Sequence, residues 1–162
     1  MANATKKEIN TEETVVEETT ETKEAVNILD LLLGSDIGEI KLPTKQMEIV
    51  RLSKLYGAPF IITVSALSPD KYEEVQDMAV SIKGKEADIE ITLLQLLVVM
   101  EGVVDPSGKP MFKNKDLMQK FKASTPKELI RKILLSGEIA NIYAEISNLS
   151  GFGDGSVKEV KN

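Results

Sequence analysis

The sequence predicts a helix-rich α+β fold in which a β-hairpin is covered by four to five α-helices, with flexible polar termini. Within residues 58–67, Phe60, Ile62, Val64 and Ala66 alternate with Ile61, Thr63 and Ser65, which is the period of a half-buried strand. After Ser68 the apolar period changes from two to about 3.6, as in helices. Hydrophobic residues make up 42% of the 162-residue chain, which is enough to fill the core of a single domain.

The first 24 residues predict a disordered acidic tail, because seven glutamates face only three lysines and little apolar area is available to bury. We expect a single domain over residues 25–152 and a flexible C-terminal tail over residues 153–162. A short helix is predicted at residues 25–33, with Gly34 in the left-handed position after it. Its leucine-rich face either docks on its own domain or is offered to a partner.

The predicted hairpin consists of strands at 45–54 and 58–67, joined by a turn at Tyr56-Gly57. Two strands are rarely stable alone, so helices must cover their apolar face. The first covering helix is predicted at 69–83, because Ser68 is a favoured N-cap and Pro69 suits the first helical position. Gly84 is expected to end it, and its buried stripe comprises Tyr72, Val75, Met78, Ala79 and Ile82.

The segment from Asp88 to Val104 predicts a central helix that is apolar on all sides and therefore buried. A capping box at Thr92–Gln95 favours a start at Thr92. Asp88 is an alternative cap for an earlier start, and the alternation of Ile89 and Ile91 leaves a short strand open. Further helices are predicted at 114–122, at 126–135 after a Thr125 cap, and at 138–149 after a break at Ser136-Gly137.

The composition argues against catalysis. His and Cys are absent, which removes the imidazole base, the thiolate nucleophile and the softest metal ligands. The net charge of −6 argues against a nucleic-acid binder, and the lysines of segment 109–122 are better explained as a solvated helix face. Glycines 151, 153 and 155 lack the context of a phosphate loop. Four acids on one helical face predict a solvent surface rather than a metal site: Asp70, Glu73, Glu74 and Asp77.

We therefore expect no catalytic residue, no metal and no cofactor. No apolar run approaches the roughly 20 residues of a membrane span, and the N-terminus lacks the apolar region of a signal peptide. Together with the absence of cysteine, this predicts a cytoplasmic protein without a membrane or nucleic-acid partner.

Several segments together resemble the XkdN-like family of phage tail assembly chaperones. They are DLLLG at 30–34, KLPTKQMEIVRLSKLYGAPFIITVSAL at 41–67, the overlapping ALSPDKYEEVQ, MEGVVDP at 100–106, KNKDLMQKF at 113–121 and STPKELIRKILLSGEIANIYAEISNLSGFG at 124–153. The last segment is the most specific, although Ser136 stands where the family often has proline.

The resemblance implies a non-enzymatic chaperone of a phage or phage-derived contractile tail. Such a protein binds the tape measure protein in the bacterial host cytoplasm and keeps it soluble and competent for tail tube assembly. The tail tube protein and a longer, frameshifted form of the chain itself are further implied partners. A structural component retained in the particle is the alternative function, and an enzyme is a more remote one.

We expect the partner to bind at the two ends of the domain. The helix at 25–33 follows a polar tail, so its docking is expected to be weak and exchangeable. The helix at 138–149 has a wide apolar stripe and leads into the C-terminal tail. The predicted contact residues are Leu29, Leu32, Leu33, Ile142, Tyr143 and Ile146. The alternative is that these side chains complete the core.

Overall fold

The computed structural model describes residues 26–83 and 85–161, which divide into two compact units at Glu39–Ile40. The predicted disordered tail at 1–24 lies outside the described residues. So does Gly84, which was expected to end a helix.

The first unit contains helix α1 (Ile28–Gly34), which confirms the short helix predicted from its leucines. The Asn27 side-chain oxygen accepts a hydrogen bond from the Leu29 N–H at 3.0 Å and so caps the first turn. The predicted left-handed role of Gly34 is wrong. Gly34 is the last helical residue, and Ser35 leaves the helix in an extended conformation that needs no glycine.

The described residues of the second unit form two small antiparallel sheets and six further α-helices. A single 3₁₀ turn follows β5, and a π-helical turn follows α7. In chain order its elements are β1 (Thr44–Glu48), α2 (Val50–Tyr56), β2 (Ile61–Ser65), α3 (Pro69–Ala79), β3 (Val80–Lys83), β4 (Glu86–Ile89), α4 (Ile91–Gly102), β5 (Val103–Val104), the 3₁₀ turn (Met111–Lys113), α5 (Lys115–Lys120), α6 (Pro126–Ile133), α7 (Ser136–Ser147) and the π turn (Asn148–Phe152).

The pairing of the two predicted strands is confirmed, but their tight connection is wrong. β1 and β2 pair antiparallel from Thr44–Ser65 to Glu48–Ile61, and β5 pairs with the other side of β2. Residues 50–56 form α2 instead of the end of a strand and a turn. A helix at this position buries Leu52, while Gly57 ends it with φ +65°. The alternating strand pattern is therefore limited to five residues on each side.

Helix α3 begins as predicted and ends earlier than predicted. The Ser68 hydroxyl accepts a hydrogen bond from the Lys71 N–H at 3.3 Å, and Pro69 occupies the first turn. The helix stops at Ala79, because residues 80–83 pair with 86–89 as the hairpin β3–β4. Met78 was expected in the buried stripe, but its side chain is 54% exposed.

Helix α4 forms the centre of the core. The predicted capping box at Thr92 is wrong, since the helix starts at Ile91 and no side chain caps it. The alternative of a short strand just before it is confirmed by β4. Helices α3, α6 and α7 pack around α4, which explains why it is apolar on every side: its buried residues are Leu94, Leu96, Leu97, Val98, Val99, Met100 and Gly102.

The C-terminal helices follow their predicted caps. The Asn114 side-chain oxygen caps α5 by accepting a hydrogen bond from the Leu117 N–H at 3.0 Å. The Thr125 hydroxyl caps α6 by accepting a hydrogen bond from the Glu128 N–H at 3.2 Å. The predicted break at Ser136-Gly137 is wrong, because both residues belong to the first turn of α7. The chain turns one step earlier, where the Glu138 carboxylate accepts the Leu135 N–H at 2.8 Å.

The predicted fold class is confirmed: the described residues form a helix-rich α+β fold with seven α-helices and small antiparallel sheets. The predicted domain limits at residues 25 and 152 stay a prediction.

Candidate partner-binding surfaces

Helix α1 exposes its apolar side chains. All seven of its residues are exposed, and Leu29, Leu32 and Leu33, which we call the leucine face, are 62%, 61% and 78% exposed. Leucine side chains with this exposure gain free energy when a partner covers them. Three of the six predicted contact residues are therefore accessible.

The predicted contact residues of α7 lie mostly inside the second unit. Ile142 is 3% exposed and Ile146 is fully buried, where both belong to the core cluster, while Tyr143 is half-buried at its edge. The leucine face and these α7 residues belong to different compact units. Whether they border a partner contact stays a prediction.

A groove opens in the second unit between α3 and the turn that follows α7. Its volume is about 700 Å³, which is within the range of roughly 300–1,000 Å³ typical of binding pockets. Three separate parts of the chain line it: residues 42–43 before β1, residues 66–76 around the start of α3, and residues 149–152 after α7. We call it the α3–α7 groove. Its apolar lining includes Leu42, Leu67, Tyr72, Leu149 and Phe152.

A sharp bend after α7 places Phe152 at the groove. Gly151 has φ +93°, a conformation that favours glycine, and it redirects the chain. The Phe152 ring then packs on Tyr72 with ring centroids 4.7 Å apart, yet Phe152 remains 64% exposed. The Ser150 hydroxyl donates to the Ile146 carbonyl at 2.7 Å and accepts from the Leu67 N–H at 3.0 Å. These two bonds tie the segment after α7 to α7 itself and to the segment between β2 and α3.

Beneath the groove, Tyr72 is buried with its hydroxyl near those of Tyr143 and Ser147. Burial raises the pKa of the Tyr72 phenol, and the neighbouring Tyr143 hydroxyl raises it further. The phenol therefore stays neutral at physiological pH. The Ser147 hydroxyl opposes this rise in the Tyr72 pKa, and it is buried without a hydrogen bond of normal geometry in the described structure.

The edge of the groove is acidic. Glu73 lines it, and Asp70 and Asp77 lie three residues before and four residues after Glu73 on α3, on the same side of the helix. Glu74, four residues after Asp70, accepts a hydrogen bond from Lys71 at 2.6 Å, which lowers the pKa of the Glu74 carboxyl.

The lysines of segment 109–122 lie on the surface around α5. Lys113 forms an ion pair with Glu101, and Asn114 and Thr125 serve as helix caps rather than as contacts for a ligand. In the part of the chain that the structure describes, no group of three or more acidic side chains is arranged to hold a metal ion. None of the described helices is long and apolar enough to cross a membrane.

Sequence reasoning missed the α3–α7 groove and its exposed aromatic, because Phe152 was expected only as the last residue of the domain, next to a flexible tail. A phenylalanine between two glycines, directly after an amphipathic helix, was the available signal. Leu42, Pro43 and Leu67 gave no signal of their own, since their role depends on the approach of the distant residues 149–152.

Comparisons with known proteins agree with this architecture. A family model described as phage XkdN-like tail assembly chaperone protein matches residues 29–162. The crystal structure of the protein yqbn, from a structural genomics consortium, is similar with a TM-score of 0.57 and 20% sequence identity. The match covers 80% of this chain and 100% of that one, and at this identity it shows the fold alone. The comparison with curated proteins gave no significant match.

Proposed function

The chain belongs to the XkdN-like family of phage tail assembly chaperones, and we propose that it binds the tape measure protein and keeps it soluble until the tail tube assembles around it. Membership of a chaperone family favours a non-enzymatic role. The structural observation that carries the proposal is the leucine face of α1, where every helical residue is exposed.

The physical basis is complementarity between apolar helices. A long helical tape measure protein exposes apolar surface, which favours aggregation before assembly. An amphipathic helix or groove on a chaperone covers such surface through contacts repeated every three to four residues. Leu29, Leu32 and Leu33 have this spacing on α1, and the α3–α7 groove offers a second apolar surface.

The proposed contact residues of the first unit are the leucine face of α1, and those of the second unit are Ile142, Tyr143 and Ile146 of α7, each treated as a separate contact. Of the three α7 residues, only Tyr143 is half-buried, whereas Ile142 and Ile146 are buried. We further propose that binding takes place in the host cytoplasm of a contractile-tailed phage or phage-derived element. The tail tube protein and a frameshifted longer form of the chain are additional proposed partners.

Co-expression with the tape measure protein of the same phage element tests the proposal. The wild-type chain should co-purify with it and should increase its soluble fraction. The double variant Leu32→Ser/Leu33→Ser should weaken the complex at least about tenfold, since each buried leucine contributes about 1.5–3 kcal/mol. Its thermal transition should stay within about 1 °C of the wild type.

The matched control is Leu55→Ser/Ile91→Ser, which removes two exposed apolar side chains outside α1 and α7. This control should bind as the wild type does. Absence of any complex with wild-type protein would overturn the proposed function. Unchanged binding of the leucine variant would exclude α1 as the contact, and finding the chain in purified particles would favour a structural tail component.

A further inference from the structure

We propose that the α3–α7 groove binds an amphipathic helix of the partner whose apolar stripe is bordered by lysine or arginine. The inference rests on the proposed function, since the tape measure protein is taken as the source of this helix. It adds a location in the second unit and a charge pattern that the partner must have.

The apolar part of the argument is the exposed aromatic. The Phe152 ring contacts the Tyr72 ring at a tilt of 35°, and Phe152 remains 64% exposed. An aromatic side chain held on a second aromatic ring beside a cavity is typical of residues that contribute most to an interface. Leu42, which also lines the groove and is 45% exposed, gives it a second exposed apolar side chain.

The groove is also held open in advance of binding. The Ser150 hydroxyl bonds to the Leu67 N–H and the Ile146 carbonyl, which fixes the wall that carries Phe152. Gly151 fixes the direction of the chain between them. A preformed groove loses little conformational freedom on binding, so its apolar area is converted to affinity more efficiently.

The charges identify the occupant. The three lining segments, residues 42–43, 66–76 and 149–152, contain three acidic residues and one lysine, a net charge of −2. The lysine, Lys71, is paired with Glu74. Glu73 lines the groove, and Asp70 and Asp77 lie near it on α3. These acids favour basic residues beside the apolar stripe of the bound helix.

Two variants test the inference in the co-expression assay with the tape measure protein of the same element. Phe152→Ser should weaken the complex about tenfold, through loss of a buried aromatic contact. Glu73→Lys should weaken it about twofold to fivefold, as expected for one ion pair at the edge of an interface. Raising the salt concentration should weaken the wild-type complex more than the Glu73→Lys complex.

The matched controls are Leu55→Ser, an exposed apolar residue of α2, and Glu86→Lys, an exposed acid of β4. Both should bind as the wild type does. If Phe152→Ser fails to fold, Glu73→Lys decides the question, because residue 73 is an exposed position on the surface of α3.

The outcomes separate the two proposals. If the wild-type chain forms no complex, the proposed function fails and the inference fails with it. If the wild type binds and both groove variants bind equally well, the function stands and the groove is excluded. If Phe152→Ser dissociates a dimer of the chain but leaves tape measure binding unchanged, the occupant is a second copy and the inference is overturned.

Discussion

Helices α1 and α7 carry apolar residues at the same spacing, but these residues are exposed in α1 and mostly buried in α7. The leucines of α1 at positions i, i+3 and i+4 are all exposed. The isoleucines of α7 at similar spacing face α4, where Ile146 packs against Gly102 so closely that an added Cβ would lie 2.5 Å from the isoleucine Cδ1. Periodicity identifies an apolar face in both helices, but it does not identify what covers that face.

This difference separates side chains that stabilise the fold from side chains that are available to bind a partner. Side chains such as Ile146 contribute free energy to folding, and removing them leaves a cavity. Side chains such as Leu33 contribute little to folding and can contribute to binding. Four predictions test how sharp this separation is.

The largest expected effect is the loss of the α7 side chain. Ile146→Ala should lower the free energy of unfolding by about 2–5 kcal/mol, because it opens a cavity at a fully buried position. Leu33→Ala should change it by less than about 0.5 kcal/mol, as is usual for exposed positions. Denaturant unfolding of both variants measures the contrast. Equal losses in the free energy of unfolding would contradict the view that α7 stabilises the fold and that the leucine face of α1 does not.

The second prediction compares two helical glycines. At Gly102 an added methyl group meets Ile146, whereas at Gly137 nothing lies within 4 Å. Gly102→Ala should therefore be less stable than Gly137→Ala by about 1–3 kcal/mol, the usual cost of overpacking. Thermal unfolding of the two variants tests this difference. If Gly102→Ala gained as much stability as Gly137→Ala, the α4–α7 contact would be looser than the structure shows.

The third prediction concerns the start of α7, which Arg51 holds. Its guanidinium donates to both Glu138 oxygens at 2.8 and 2.9 Å and to the Ile133 carbonyl at 2.8 Å. The hydrogen bond from Arg51 lowers the pKa of the Glu138 carboxyl below its ordinary value of 4.5. The ionised Glu138 carboxylate therefore makes its full contribution to the free energy of unfolding above pH 4.5. This contribution is lost as the pH falls through the lowered pKa.

The difference in Tm between wild type and Glu138→Gln should accordingly be greatest near pH 6 and should shrink below pH 4.5. In an Arg51→Met background, the Tm difference caused by Glu138→Gln should lose most of this pH dependence. The part that remains is due to the hydrogen bond from the Leu135 N–H. A pH-independent difference would show that the ion pair does not anchor α7.

The smallest expected effect is at Ser147, whose buried hydroxyl lacks a partner in the described structure. Ser147→Ala should be neutral or slightly stabilising, because it removes an unpaired polar group. Ser150→Ala is the matched contrast, since it leaves the Leu67 N–H without its acceptor and should cost about 1–3 kcal/mol. If the two variants lost comparable stability, the Ser147 hydroxyl would have to form a hydrogen bond that the structure does not show.

Local signals in the sequence predicted the starts of α3 and α6, because a capping hydroxyl followed by proline acts within one turn. The burial of α4 on all sides was also predictable from its apolar composition. The helical state of residues 50–56 was not, since Leu52 and Arg51 are held there by tertiary contacts. Strand β3 and its pairing with β4 were missed, because helical spacing continued across residues 80–83.

The family resemblance drawn from the sequence is confirmed by the match over residues 29–162. For the candidate surfaces, the leucine spacing of α1 indicated an apolar face correctly. The burial of Ile142 and Ile146 could not be distinguished from exposure, since both states give the same pattern. The α3–α7 groove depends on three segments far apart in sequence, so no local pattern could indicate it.

The encirclement of α4 has a consequence for the order of events on the ribosome. Synthesis proceeds at about 5–20 residues per second, and α7 (Ser136–Ser147) is made after every other element that packs around α4. Until it emerges, the side of α4 at Gly102 remains open. We therefore expect nascent chains that end before Ser136 to expose this apolar side and to aggregate or be degraded. Acquisition of the native core then waits until α7 has been synthesised.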